Sequence, residues 1–285
     1  MIRERTVIVE WMIIVSGFNK KLLIIILLLS ISGAIVKIIG GVIFGSRSLF
    51  VDALTCFANI VAIISTIYFY KASLMPPDAD HHYGHYKLGF GGTIVSMLAY
   101  SFVAGIAVST LMETNKYHVY IQAVWMAVAG FFLYLGAVIL AGRAGEFFRA
   151  YAVFTVSELI ESGIVIVASL GGAMVNYMID YVGALIITIY IFVELYDTGK
   201  KVIMYLSDTA PPQEFVDKVR RLVEEHGFSL VSIKMRRISD NVIHGDIVVK
   251  SGGDIDIKEL VERIRHIKEE LREKYGFDCS IEISG

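Results

Sequence analysis

Two apolar stretches of the chain carry side chains that could bind a cation. In the first, Asp52, Cys56 and Asn59 are spaced by four and three residues, which places them on one face of a helix. In the second, Glu158 and Glu161 are three residues apart and also share a face. Acidic side chains on two apolar helices repel each other unless a cation or protons neutralise them. The two stripes therefore predict either a metal site or protonated, hydrogen-bonded carboxyl groups.

Other polar groups near these stripes leave alternatives open. Thr155 lies one turn before Glu158 and could complete a site with its hydroxyl group. Cys56 could equally be a small buried apolar residue, because free cysteines often pack in that way. Lys37 lies in a third apolar stretch, where it is more simply interpreted as a snorkelling or acid-paired residue than as a ligand.

A second group of ligand-type residues lies in a short polar segment. Asp78, His81 and His85 occur within eight residues, with Asp80 and His82 between them as less certain members. Imidazole and carboxylate groups at such short spacing are typical of first-row transition-metal sites. The pattern therefore predicts a second metal site, with a solvated polar loop as the alternative.

The elements that must position these residues are long enough to cross a membrane. Of the 285 residues, 55% are hydrophobic, above the roughly 45–50% of soluble domains. A transmembrane helix needs roughly 20 predominantly apolar residues. Six stretches meet that length: Leu22–Phe44, Leu49–Tyr70, Leu88–Met112, Val119–Ala141, Tyr151–Ile179 and Tyr181–Ile203. The expected fold class is an α-helical membrane protein with six transmembrane helices.

Charged residues are concentrated after the last apolar stretch. Residues 208–285 hold 16 of the 28 acidic and 13 of the 26 basic residues. We therefore expect an N-terminal cytoplasmic or interfacial segment (1–21), a transmembrane domain (22–206) and a soluble C-terminal domain (207–285). If both termini are cytoplasmic, ten Lys/Arg residues face the inside and only two face the outside. That bias favours this orientation in the inner (cytoplasmic) membrane.

The C-terminal domain is predicted to be a small α/β unit. Helical patterns cover Pro211–His226 and Asp256–Tyr275, and strand-like alternation covers Leu230–Ile238 and Val242–Lys250. A last short strand is expected at Asp278–Ile283. The order α-β-β-α-β suggests a ferredoxin-like (metallochaperone-like) layer of two helices on three strands.

Composition argues against several classes of function. The net charge of −2 gives no reason to expect a nucleic-acid partner, and the two cysteines do not suggest a disulfide framework. The sequence shows no nucleophile–base pair, phosphate loop or cofactor fingerprint. We therefore expect a transport protein without a resident cofactor, not an enzyme.

Three segments of the chain carry recognisable motifs: residues 45–54 (GSRSLFVDAL), residues 80–87 (DHHYGHYK) and residues 180–191, which begin DYVGA. Together they resemble the cation diffusion facilitator family, whose members export divalent metals. The first is similar to that family's signature at the second helix, the second to its His-x-Tyr/Phe-Gly-His-x-Lys loop and the third to the start of its sixth helix. The resemblance spans nearly the whole chain.

The resemblance implies a tetrahedral metal site with two ligands on the second helix and two on the fifth. Carried over position by position, these fall on Asp52 and Cys56, and on Phe154 and Glu158. Because Phe154 offers no donor atom, the implied site consists of three ligands completed by water, Asn59, Thr155 or Glu161. A mixed thiolate–carboxylate set favours Zn²⁺, with Cd²⁺, Fe²⁺, Mn²⁺ and Co²⁺ possible.

The resemblance also implies partners and mechanism: a homodimer that exchanges a divalent cation for protons across the lipid bilayer. Tails of the family often bind metals through histidines, but Ile233, Ile247 and Glu282 stand at those positions, with His244 and His266 elsewhere. The tail is therefore expected to dimerise without a binuclear metal site. Two rivals remain: a transport-inactive membrane scaffold or regulator, and a proton-coupled transporter of a non-metal substrate.

Overall fold

The computed structural model describes residues 20–113, 115–143, 146–239, 242–253 and 256–284, and of these it leaves out the side chains of residues 20, 23, 142–157 and 239. Residues 1–19 of the expected N-terminal segment (1–21) lie outside the described residues, as do residues 240–241 between the first two predicted strands of the C-terminal domain. The elements below are numbered along the chain.

Six long helices make up most of the described part of the chain. Their ranges are α1 Lys20–Val42, α2 Arg47–Ser73, α3 Gly89–Met112, α4 Ile121–Arg143, α5 Glu146–Met174 and α6 Tyr177–Leu206. Large apolar side chains such as Phe102, Trp125 and Val167 are exposed on their outer surfaces. Such surfaces are expected when lipid rather than water surrounds the helices.

Five of these helices, among the described residues, are long and apolar enough to cross a membrane. The qualifying segments are Ile24–Val42, Arg47–Ser73, Tyr86–Met112, Ile121–Ala141 and Tyr177–Leu206. The remaining long helix, α5, carries Glu158 and Glu161 near its middle. The protein is therefore a multi-pass membrane protein, and its α5 helix carries two acidic residues where the sequence predicts a site.

The boundary between the fifth and sixth helices differs from the expectation. The sequence predicts that the fifth stretch continues to Ile179, but α5 ends at Met174 and α6 begins at Tyr177. The Asn176 side chain accepts a hydrogen bond from the backbone N–H of Met178 at 2.9 Å, which is a helix-capping contact. A single asparagine thus ends one helix and starts the next inside an otherwise apolar run.

The C-terminal part has the predicted order of elements. It consists of α7 Gln213–Glu225, β1 Phe228–Ser239, β2 Val242–Ser251, α8 Ile257–Tyr275 and β3 Phe277–Ser284. In the three-stranded sheet, β1 pairs antiparallel with β2, and β2 pairs parallel with β3. Both helices share one apolar core with the sheet, which includes Val219, Ile247, Ile267 and Phe277.

The described chain forms two compact units. The first contains the residues up to Ser65 together with Ile94–Tyr196, and the second contains Thr66–Thr93 together with residues from Asp197 onward. In the second unit, Asp208 accepts a hydrogen bond from Lys87 at 3.1 Å and pairs with Arg236 of β1 at 3.5 Å. The loop between α2 and α3 therefore packs with the C-terminal domain in one unit.

Candidate metal sites

The α2 helix begins after a glycine that the local geometry requires. Gly45 has a φ of +73°, a region that favours glycine, and a Cβ atom there would collide with the carbonyl oxygen of His118. The chain enters α2 at Arg47, five residues before Asp52. The start of α2 therefore fixes where the first predicted ligand lies.

A buried carboxylate from α6 caps this start of α2. The Asp180 side chain accepts hydrogen bonds from the Ser46 and Ser48 hydroxyl groups, both at 2.6 Å, and from the Arg47 backbone N–H at 2.8 Å. The Tyr117 hydroxyl group donates a further bond at 3.0 Å. An acidic group at a helix N-terminus satisfies free N–H groups and interacts favourably with the helix dipole. Asp180 was expected only as part of the family-like segment 180–191, and its positioning contact with α2 was not predicted.

A lysine occupies the middle of the predicted transport site. The Lys37 Nζ atom lies 2.9 Å from Asp52 Oδ2, 3.3 Å from Cys56 Sγ and 2.7 Å from Ser162 Oγ. Each of these four side chains is at most 1% exposed. We call Lys37, Asp52, Cys56 and Ser162 the lysine cluster. The acid-paired interpretation of Lys37 is therefore the one that the structure shows.

Ser162 was not predicted as a member of this cluster. Its hydroxyl group lies 3.4 Å from both carboxylate oxygens of Asp52 while it accepts the hydrogen bond from Lys37. It follows Glu158 by four residues and therefore shares a helix face with it. That spacing was a usable signal, although a serine in an apolar helix is common.

The acidic pair on α5 has unused hydrogen-bonding capacity. Glu158 and Glu161 are 7% and 5% exposed, and one oxygen of each, Oε2, is buried without a hydrogen-bond partner. The Asn59 Nδ2 group is likewise buried without a partner, while its Oδ1 accepts a hydrogen bond from Tyr100. Glu158 lies within electrostatic range of Lys37 and Asp52. Buried polar groups without partners are rare and often mark a place where a ligand binds.

The predicted transport-site residues are close but do not form a ready metal site. Among the described residues, the loop between α2 and α3 holds the one group of three or more His, Cys, Asp or Glu side chains close enough to bind a single ion. Asp52 and Cys56 point to Lys37 instead. The side chains of Phe154 and Thr155 lie outside the described residues.

That loop group contains the three predicted residues Asp78, His81 and His85, which we call the loop cluster. Their potential ligand atoms all lie within 4.8 Å of one another. Asp78 Oδ1 lies 3.3 Å from His81 Nδ1, and Asp78 Oδ2 lies 3.3 Å from His85 Nε2. Asp80 and His82 are exposed and outside this group.

Hydrogen bonds prepare the loop cluster for a cation. His85 is buried, and its Nδ1 atom lies 3.1 Å from the carbonyl oxygen of Pro76, which can only accept a hydrogen bond. Nδ1 therefore carries the proton, and in a neutral ring the lone pair of Nε2 faces Asp78. Metal-ligating histidines are commonly oriented by such a bond from their other ring nitrogen. The backbone N–H of His81 and that of Asp80 hold the pKa of Asp78 below its usual range, which keeps a negative charge in the cluster.

Comparison with known proteins identifies the family of this chain. The family described as cation efflux transmembrane domain matches residues 23–207, well over half of the chain. The chain belongs to the cation diffusion facilitator family. Members of this family are transporters, so the lysine cluster and the loop cluster lie in a member of a cation transporter family rather than in an enzyme.

Relatives of this cation diffusion facilitator cover most of its length. The manganese efflux system protein MneS of Bacillus subtilis is 24% identical over 258 residues, which is 86% of this chain and 88% of the relative. An uncharacterized transporter of Methanocaldococcus jannaschii is 25% identical over 257 residues, 82% of this chain and 88% of the relative. The uncharacterized transporter YdbO of Bacillus subtilis is 24% identical over 262 residues, 85% of each chain.

Proposed function

We propose that this protein exports a divalent first-row transition metal in exchange for protons. The main support for this proposal is that buried acidic groups from two helices converge in a member of the cation efflux family. They are Asp52 on α2 and Glu158 and Glu161 on α5. Cys56 and Asn59 on α2 add a sulfur and an amide, and Thr155 adds a hydroxyl group one turn before Glu158. These residues form the proposed transport site.

The exchange of metal for protons follows from the chemistry of the ligands. Carboxylate and thiol groups bind a metal only when they are deprotonated, so protons that arrive from the opposite side release the ion. We infer that α5 also crosses the membrane, which gives six spans with both termini in the cytoplasm. Alternating access of the site to the two sides then couples metal export to proton entry.

Two metals are the leading candidates. The Cys56 sulfur favours Zn²⁺, the ion that the mixed ligand set suggests. The oxygen atoms of Glu158, Glu161 and Asn59 favour Mn²⁺, and the relative MneS is named for manganese efflux. Cd²⁺, Fe²⁺ and Co²⁺ complete the set to be tested.

The loop cluster is proposed as a second metal site that captures or senses the ion. The potential ligand atoms of its three residues lie within 4.8 Å of one another, and two of the three residues are exposed. We further infer that the C-terminal domain makes the protein a homodimer, as the tails of the family do.

Metal flux into proteoliposomes tests the proposal. Each of the five metals is offered at both signs of the proton gradient, to the wild-type protein and to Glu158→Gln. Asp197→Asn serves as a matched control, because Asp197 is an exposed acid on α6. We expect flux of one or two metals that depends on the gradient, is lost in Glu158→Gln and is kept in Asp197→Asn. Flux indifferent to the gradient would overturn the proton exchange.

A transport-inactive scaffold is the second candidate, and one observation favours it. Lys37 already neutralises Asp52 and contacts Cys56, so two proposed ligands are engaged. No flux of any metal from folded, dimeric protein would establish this candidate. A proton-coupled transporter of a non-metal substrate would instead show proton movement without metal flux.

A further inference from the structure

The Lys37 ammonium group makes as many contacts as it has N–H bonds. It donates to Asp52, Cys56 and Ser162, which come from two different helices. A lysine ammonium group has three donors, so all three are used. A buried charge with a full set of partners is a built feature rather than a side chain that extends to the membrane surface.

The neighbouring helix is shaped to admit this lysine. Gly130 on α4 lies against the lysine stem, and a Cβ atom there would be 2.7 Å from Lys37 Cγ and 3.1 Å from Cε. Any larger residue would therefore displace the stem. The ring of Tyr134, one turn further along α4, lies 5.0 Å from Nζ, within the range of a cation–π contact. We call the space beside Gly130 the lysine notch.

The partners of Lys37 are the atoms that a metal ion would need. The Asp52 carboxylate and the Cys56 sulfur are proposed metal ligands, and both contact Nζ directly. A divalent ion on those two atoms would touch the ammonium group, and like charges at contact distance in a buried site repel strongly. Glu158 and Glu161, by contrast, each keep a buried oxygen without a partner.

We propose that Lys37 is a resident cation of the transport site, which competes with the metal for Asp52 and Cys56 and so determines the metal affinity. The inference rests on the proposed function only in taking Asp52 and Cys56 as metal ligands. A divalent ion completes its coordination only when the ammonium group withdraws from them. When the metal leaves, the tethered ammonium group returns and keeps Asp52 neutralised.

The test is equilibrium binding of Mn²⁺ and of Zn²⁺ to the purified full-length protein in detergent. The His81→Ala/His85→Ala background removes the contribution of the loop cluster. Lys37→Met deletes the ammonium group but keeps an unbranched stem in the lysine notch. We expect its affinity for at least one of the two ions to rise roughly tenfold or more, within the range of coupling between competing ligands. Adding Asp52→Asn should abolish that gain.

Two further variants keep the test decisive. Lys71→Met removes an exposed lysine at the end of α2 and should leave binding unchanged. Gly130→Ala alters no polar group but crowds the lysine stem. It should therefore also raise the metal affinity, by a smaller factor than Lys37→Met does. If Lys37→Met does not fold, Gly130→Ala decides: a gain supports the resident cation, and an unchanged affinity overturns it.

Flux measurements separate this inference from the proposed function. A Lys37→Met protein that binds metal more tightly at Asp52, with no flux from either protein, supports the resident cation and refutes transport. A wild-type protein that transports metal, with a folded Lys37→Met variant that binds no more tightly, refutes the resident cation and leaves transport standing.

Discussion

The lysine cluster and the loop cluster both contain residue types that bind metals, but the surroundings of these residues differ. In the lysine cluster, Asp52 and Cys56 are buried and already hold a cation that belongs to the protein. In the loop cluster, the Asp78 carboxylate lies beside two imidazoles, and the potential ligand atoms of the three residues are all within 4.8 Å of one another. The comparison teaches that ligand chemistry alone does not define a metal site, because a residue from another helix can satisfy the same ligands.

The largest expected effect is a loss of stability in Asp52→Asn, which tests whether Lys37 and Asp52 form a stabilising ion pair. Asp52→Asn keeps the shape of the side chain but leaves the Lys37 ammonium group buried without a counter-charge. Breaking a buried pair from one side typically costs about 3–5 kcal/mol. We expect a large decrease in the free energy of unfolding, measured as a lower thermal unfolding midpoint in detergent.

The double variant Lys37→Met/Asp52→Asn is the control for this prediction. It removes both charges, so its loss of stability should be clearly smaller than the sum of the two single losses. Additive losses would show that the two side chains do not interact and that the lysine cluster is not held by charge.

The next prediction concerns how far the lysine cluster depends on the Asp180 cap at the start of α2. Asp180→Asn weakens hydrogen bonds that the carboxylate accepts from Ser46, Arg47 and Ser48. Bonds to a charged group contribute about 1.5–3 kcal/mol, so we expect a loss of stability of that order. Flux should fall with it, while metal binding to the loop cluster stays unchanged. A variant that loses loop binding to the same extent would show general misfolding instead.

Variants of two histidines, one inside the loop cluster and one outside it, test whether the cluster is a defined metal site. His85→Ala removes a buried ligand that Pro76 orients, and it should weaken metal binding by about tenfold or more. His82→Ala removes an exposed ring outside the cluster and should leave the affinity nearly unchanged. Isothermal titration with Zn²⁺ and Mn²⁺ measures both. Equal losses in the two variants would favour a loosely solvated loop over a defined site.

The smallest effect concerns the contact of Asp208 with Lys87 of the loop between α2 and α3 and with Arg236 of the C-terminal domain. Hydrogen bonding from Lys87, with the charge of Arg236, holds the pKa of Asp208 below its usual range. A lowered pKa contributes stability above the unfolded value, about 3.9, and this contribution is lost as the pH falls through the folded value. Because the pair is exposed, Asp208→Asn should cost less than about 1 kcal/mol at neutral pH. The wild-type and variant melting curves should converge in acid; a constant difference would contradict the assignment.

Local patterns in the sequence predicted much of this molecule. The lengths of the apolar stretches predicted the long helices, and alternation predicted strands in the C-terminal domain. The loop cluster was also predictable, since Asp78, His81 and His85 are near neighbours in the chain and one turn brings them together. The proposed functions of these residues remain predictions.

Contacts between distant helices could not be predicted from one sequence. Lys37 and Ser162 are separated by 125 positions, and Ser46 and Asp180 by 134. Spacing along one helix shows which residues share a face, but it does not show which other helix that face meets. The role of Lys37 as an ion-pair partner was therefore one of two interpretations until the structure placed it beside Asp52.

The cap that Asp180 places on α2 has a consequence for biosynthesis. Ribosomes add roughly 5–20 residues per second, so Asp180 is synthesised about 7–27 s after Ser46. During that interval the start of α2 lacks the carboxylate that satisfies its N–H and hydroxyl groups. The last long helix to be synthesised, α6, therefore caps the early helix α2. Assembly of the first unit is completed only after α6 has been made.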